Sequence, residues 1–264
     1  MQNIMQNFVK TLACTLLGSV LAALPALAQP GGHLQYEVTR RIDPSQMRVV
    51  INGQVVKPGS PDFPTDLPET RTTGLSLAYA GSYARETREG GALRTLTAGP
   101  NAAPQTTVVK RPFEETTYLD LSGRTVSTLL TVQADNATTA YRSDEPYAAP
   151  ARWTLLPQTK KVAGYLCHKA TAPFQKETYT IWYTTDLPFT DSPVRGLMPE
   201  KGVVLQLESE KEQYQATKTD QKPVAEAEVR PTQTAQPVTP AELKDHREKA
   251  LADFRQHLME SESR

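Results

Sequence analysis

"GLSLAYAGSYARET", Gly74 to Thr87, is the stretch whose reading decides the fold. Leu75, Leu77 and Tyr79 recur at every second position, which gives an extended segment one apolar face. Upstream, "LQYEVTRRI" from Leu34 to Ile42 alternates in the same way. "MRVVING" follows from Met47, with Asn52-Gly53 as a strong turn signal, and a proline-rich loop runs from Pro58 to Pro68. Downstream, Gly90-Gly91 makes the next turn. "TTVVKRPF", "TTYLDLSGRTVSTLLTV" and "TTAYRSDEPY" continue the series, with a turn at Ser122-Gly123. Helical periodicity is absent from this region. Regularly spaced strands with Gly, Asn and Pro turns predict a mainly β fold: an antiparallel curved sheet, a meander or half-barrel, over residues 29–217.

The two ends read differently. Lys10, an apolar run from Leu12 to Leu24 and small residues at Ala26 to Ala28 predict a signal peptide over 1–28, cleaved after Ala28. The run is too short for a membrane anchor, so the expected protein is exported, periplasmic or secreted, with no membrane span after cleavage. Cys14 stands too early in the run to be a lipid-attachment cysteine. Residues 218–238 are rich in proline, alanine, threonine and charge, a flexible-linker composition. A C-terminal helix is expected over 239–264, with Thr239 as N-cap, Pro240 at the first helical position and Glu242 completing a capping box. Its stripe of Leu243, Ala250, Leu251, Phe254 and Leu258 suits either a solvated tail or a helix docked on the sheet.

Charge and motifs narrow the function. The 29 basic and 29 acidic residues balance, which argues against nucleic acid or an anionic membrane as the main partner. With Cys14 in the leader, Cys167 in "GYLCHKA" is an unpaired thiol beside His168. On a strand, adjacent side chains point to opposite faces, so the two cannot act as nucleophile and base. His33, His246 and His257 lie near the ends of the chain, poor places for a preorganised site. No catalytic residue is assigned on these grounds. The histidines, Cys167 and the thioethers of Met47 and Met198 show no metal-ligand spacing, so no metal site is assigned either. No nucleophile elbow, phosphate loop or dinucleotide fingerprint is present, hence no expected cofactor. The Asn136-Ala-Thr sequon is a three-residue match of chance grade. Trp153, Tyr165, Tyr179, Trp182 and Tyr183 cluster late in the β region, as sheet core or as a concave face that receives a ligand.

From Glu145 to Leu207 the chain resembles the GLPGLI family of exported Bacteroidetes proteins. The matching residues are Glu145-Pro146, Trp153, Thr159-Lys160-Lys161-Val162, Gly164-Tyr165, Cys167, Lys169-Ala170, Trp182-Tyr183-Thr184 and Asp186-Leu187-Pro188. Pro193, Gly196, Leu197 and Gly202 stand near the family's name motif, which is altered: Ser192-Pro193 replaces Gly-Pro, and "MPEK" intervenes before Gly202. The resemblance implies a structural or ligand-facing role for these residues and no known activity. The family layout is similar to periplasmic lipoprotein carriers, whose curved sheet wraps an apolar cavity. The leading expectation is an exported, non-enzymatic envelope protein that binds an apolar ligand or an envelope protein partner. The alternatives are a hydrolase with an unrecognised site, and periplasmic copper or zinc binding.

Overall fold

The computed structural model describes residues 30–262 except 44–48, 52–53, 58, 62, 64–68, 90–92, 98–104, 110, 135–136 and 232–233. The leader at 1–28, Cys14, Met47, the Asn52-Gly53 and Gly90-Gly91 turns, the Asn136 sequon and most of the proline-rich loop lie outside the described residues.

The main body is one open sheet of twelve strands, antiparallel but for one edge pairing, and not a closed barrel. Near its middle lies β1 (Gly31–Arg41). Two short strands, β2 (Val49–Ile51) and β3 (Gln54–Val56), pair apart from the sheet. The sheet then grows in one direction through β4 (Thr70–Ala80) and β5 (Tyr83–Arg88). A second separate ribbon, β6 (Leu93–Thr97) with β7 (Gln105–Val109), leads to β8 (Phe113–Asp120), β9 (Thr125–Ala134) and β10 (Ala137–Pro146). The chain then crosses to the opposite edge. From there β11 (Thr154–Val162), β12 (Tyr165–Phe174), β13 (Glu177–Thr184), β14 (Val203–Glu208) and β15 (Glu212–Asp220) step back until β15 lies against β1.

Local chemistry closes the turns as the strand pattern requires. Asp120 Oδ1 accepts the backbone N–H groups of Ser122 and Gly123, at 3.0 and 2.6 Å. Between β11 and β12 the loop is only Ala163-Gly164, with φ of 47° and 92°. Two left-handed residues make the turn whose twist matches the flanking strands, which is why glycine stands at 164. Leu34, Tyr36 and Val38 alternate inward on β1, and Leu75, Leu77 and Tyr79 do so on β4, as the period-2 pattern predicts.

The main core spans the middle of the sheet and both halves of the chain. Residues 185–202, between β13 and β14, fold over it and bury Leu187, Phe189, Leu197 and Met198. Burying each such side chain stabilises by about 1.5–3 kcal/mol. An irregular segment can lie there only if its backbone polar groups find partners. Asp191 N–H donates to Gly202 O at 3.1 Å, Val204 N–H to Asp191 O at 3.0 Å, and Leu197 N–H to Val194 O at 2.9 Å.

The C-terminal region is ordered onto the sheet. Residues 218–238, linker-like in composition, hold the end of β15, one helical turn α1 (Glu226–Val229) and the two-residue β16 (Gln236–Pro237), which pairs parallel to β10. One large apolar side chain anchors this polar stretch: Val229 is fully buried against Ala78 and Ala80. The helix α2 (Pro240–Glu262) starts on the predicted capping box: Thr239 N–H donates to Glu242 Oε2 at 2.7 Å, and Glu242 N–H donates to Thr239 Oγ1 at 3.2 Å. It is docked rather than solvated: Leu243 and Ala250 pack on Phe113 and Leu130, and His246 stacks on Tyr141 at 3.8 Å. No helix among the described residues is long and apolar enough to cross a membrane.

Candidate functional site

The β12 register explains where a site is left open. Leu166, His168, Ala170, Ala172 and Phe174 share one face of the strand, because side chains alternate. The 3-10 turn Arg195–Leu197 covers the far end of that face, with Gly196 set against the Phe174 ring. The near end stays uncovered. Leu166 is 49% exposed there, and Leu155, paired with Ala170 across β11, is 66% exposed. These are the two exposed large hydrophobic side chains among the described residues.

At Leu155 opens a cleft of about 780 Å³. One wall is the crossing segment, with Pro150, Arg152 and Trp153, and the other is the overlying loop, with Pro199, Glu200 and Lys201. Trp153 and Tyr183 meet edge to face, their centroids 5.1 Å apart and their planes at 66°. The His168 ring lies 6.1 Å from Tyr183. Ala151 N–H donates to Met198 O at 2.9 Å and ties the two walls together.

Under the loop wall lies a buried ionic cluster. Arg195 donates to Asp191 Oδ1 at 2.5 Å and to Glu86 Oε2 at 2.7 Å. Arg88 donates to the other Glu86 oxygen at 2.8 Å and to Pro193 O at 3.1 Å. Glu86 and Asp191 are 4% and 3% exposed. Burial pushes the Asp191 pKa up to about 6, Arg195 holds it down, and Glu86 adds to the rise. Burial alone would lower Arg195, but the Asp191 and Glu86 carboxylates outweigh it and raise its pKa. Burial also raises the Tyr147 hydroxyl, whose ring stands 5.8 Å from the Arg195 guanidinium. Both carboxylates are spent on guanidinium groups, so the cluster is an anchor that pins the loop to β5 rather than an acid–base pair with a free member.

Cys167 and His168 diverge. Cys167 is fully buried, with its thiol 3.7 Å from Tyr165 O and its pKa pushed to about 11 by burial, while His168 is exposed. Among the described residues no three His, Cys, Asp or Glu side chains are placed to hold a metal ion. The other residues singled out from sequence mostly serve shape. Trp182 lies under Lys160 at 4.2 Å and near Lys169 at 5.7 Å. Leu197 and Thr184 are buried, Tyr165 is half-buried and Pro188 exposed. Gly202 has φ 95°, and a Cβ there would stand 2.3 Å from Thr184 O. The structure thus brings Trp153 and Tyr183 together and leaves Cys167, Lys169 and Trp182 on other surfaces of the strands. Glu86, Arg152, Asp191 and Arg195 were not singled out from sequence. Glu86 carried a signal: it pairs with Leu77 and so falls on the apolar face, where a carboxylate demands a buried cation.

The sequence profile of the family described as N-glycanase peptide, N-terminal domain matches residues 100–239, more than half of the chain. Among solved structures the chain is similar to PNGF-II. In the P21 space group the TM-score is 0.53 at 13% identity, covering 84% of this chain and 34% of that one. In the C2 space group the TM-score is 0.48 at 14% identity, covering 82% and 33%. The chain therefore spans about a third of the length of the structures it matches, and at this identity the likeness is one of fold. No curated protein matches the chain. These findings correct the GLPGLI resemblance, because the matched profile contains the whole Glu145–Leu207 span that carried it. The physical reason is that those residues make shape. A glycine at a two-residue hairpin, aromatic residues on a strand and a proline-punctuated loop recur wherever such a hairpin and loop are built.

Proposed function

The chain belongs to the N-glycanase peptide, N-terminal domain family, and from that premise we propose that it is a non-catalytic recognition module that binds N-glycan-bearing polypeptide in the Trp153–Tyr183 cleft. The observation that carries this reading is the edge-to-face aromatic pair at the uncovered end of the sheet face. A sugar ring presents C–H groups on one side and hydroxyls around its rim. The rings of Trp153 and Tyr183 suit the first, while Arg152, Glu200 and Lys201 offer donors and acceptors to the second. The exposed Leu155 in the cleft lining suits the polypeptide that bears the glycan. The buried cluster supports the reading indirectly, since its charges hold the cleft wall and take no part in contact with ligand. The leader-like residues 1–28 favour an exported setting, where such glycoproteins are met.

Isothermal titration of the chain with an N-glycopeptide, and with the same peptide lacking its glycan, tests this. Binding is expected for the first only, and Trp153→Ala should weaken it by at least about tenfold, roughly 1.4 kcal/mol. Equal binding of both peptides, or of neither, would overturn the proposal.

A further inference from the structure

Resting on the reading of this cleft as a glycan site, we infer that it selects acidic sugars, those bearing a carboxylate or a sulfate, over neutral ones. The observation is the state of its charges. Arg152 on the crossing segment and Lys201 on the loop face the cleft from opposite walls, and both are exposed. Neither has an ion-pair or side-chain hydrogen-bond partner among the described residues. Glu200 is the one carboxylate of the lining, next to Lys201 in the chain and not bonded to it. The chain as a whole is neutral, so this local excess of positive charge does not follow from composition.

Elsewhere Arg40, Arg88, Arg142, Arg195, Arg230 and Arg247 each hold a carboxylate. Arg71, Arg85 and Arg124 hold none among the described residues, as Arg152 does not, but of these only Arg152 lines the cleft. A guanidinium left unpaired beside an aromatic pair is arranged to meet an anionic substituent while the rings hold the sugar. Arg152 matches a carboxylate or sulfate with two parallel N–H donors, and Lys201 supplies a point charge from the other side. Because both groups are exposed, the preference should be modest and should weaken as salt rises.

The test is a comparison of one sialylated N-glycopeptide with its desialylated form, titrated into the full chain at low salt and again at high salt. The sialylated form should bind about fivefold more tightly at low salt, with the gap shrinking at high salt. Arg152→Gln with Lys201→Gln should abolish the gap, while Lys244→Gln, on the exposed side of α2, should leave it intact. An unchanged melting temperature in all variants shows that the fold is not the cause. A sulfated neutral glycopeptide separates sulfate from carboxylate as the preferred anion. Equal affinity for the sialylated and desialylated forms would overturn this inference while leaving the glycan reading standing. Binding of neither form would overturn both.

Discussion

The buried cluster of Glu86, Arg88, Asp191 and Arg195 and the open cleft around Trp153 lie on the two sides of one loop, and they treat charge in opposite ways. In the cluster, each carboxylate is desolvated and answered by a guanidinium. In the cleft, Arg152 and Lys201 are exposed and have no ion-pair partner among the described residues. A desolvated ion that lost its partner would cost several kcal/mol, so the cluster holds its geometry continuously. A hydrated ion loses little by waiting, so the cleft can present its cations to a ligand. The comparison teaches that the desolvated, fully paired charges hold structure here, while the exposed cations line the candidate site.

The comparison can be broken most directly at its centre. Arg195→Leu leaves Glu86 and Asp191 buried without their shared cation, and a loss of about 3–5 kcal/mol in urea unfolding is expected. A loss below about 1 kcal/mol would mean that the carboxylates are not desolvated as the anchor requires. Next in size is the pH profile of Asp191. Its pKa is about 6 when folded, against about 4 in an unfolded chain, so the folded state holds the proton more tightly. The contribution of Asp191 to stability is therefore largest below about pH 4 and falls as pH rises to about 6, by on the order of 2–3 kcal/mol. Asp191→Asn should flatten that part of the curve of melting temperature against pH, and an unaltered curve would count against the assignment.

Gly202→Ala tests the C-terminal end of the same loop. The new Cβ would meet Thr184 O at a left-handed φ, for an expected loss of about 1–3 kcal/mol by the same unfolding measurement. The smallest effect belongs to the open side. Leu155→Ser should change stability by no more than about 0.5 kcal/mol, because the side chain is already 66% exposed. A larger loss would place Leu155 in the core and remove the contrast between the two regions. Thiol labelling sharpens the buried side once more: Cys167 should react with a thiolate-selective reagent only after unfolding, since it is buried and its pKa is pushed to about 11.

Much of the local structure was legible in the residues themselves. Alternation assigned Leu75, Leu77 and Tyr79 to one face, and it separated Cys167 from His168 before any coordinates were needed. Ser122-Gly123 and the Thr239–Glu242 box marked a turn and a helix start through side-chain and backbone chemistry that acts over three or four residues. The aromatic residues of the cleft were also visible as a cluster, but not which of them would meet. Trp182 turned away under Lys160, and Tyr183 met Trp153, because a one-residue step on a strand changes the face.

What the sequence by itself determined, then, is which side of each strand is apolar and where strands and the last helix begin. Only the tertiary structure decided which strands are neighbours, since a period of two specifies a face and never a partner. It set β15 beside β1 and sent the chain across the sheet to β11, and that crossing made one wall of the cleft. It also brought Glu86 to Arg195, 109 residues away, and fastened the other wall. Pairings over such distances depend on loop closure and on burial shared by the whole core, and neither is written in a local pattern.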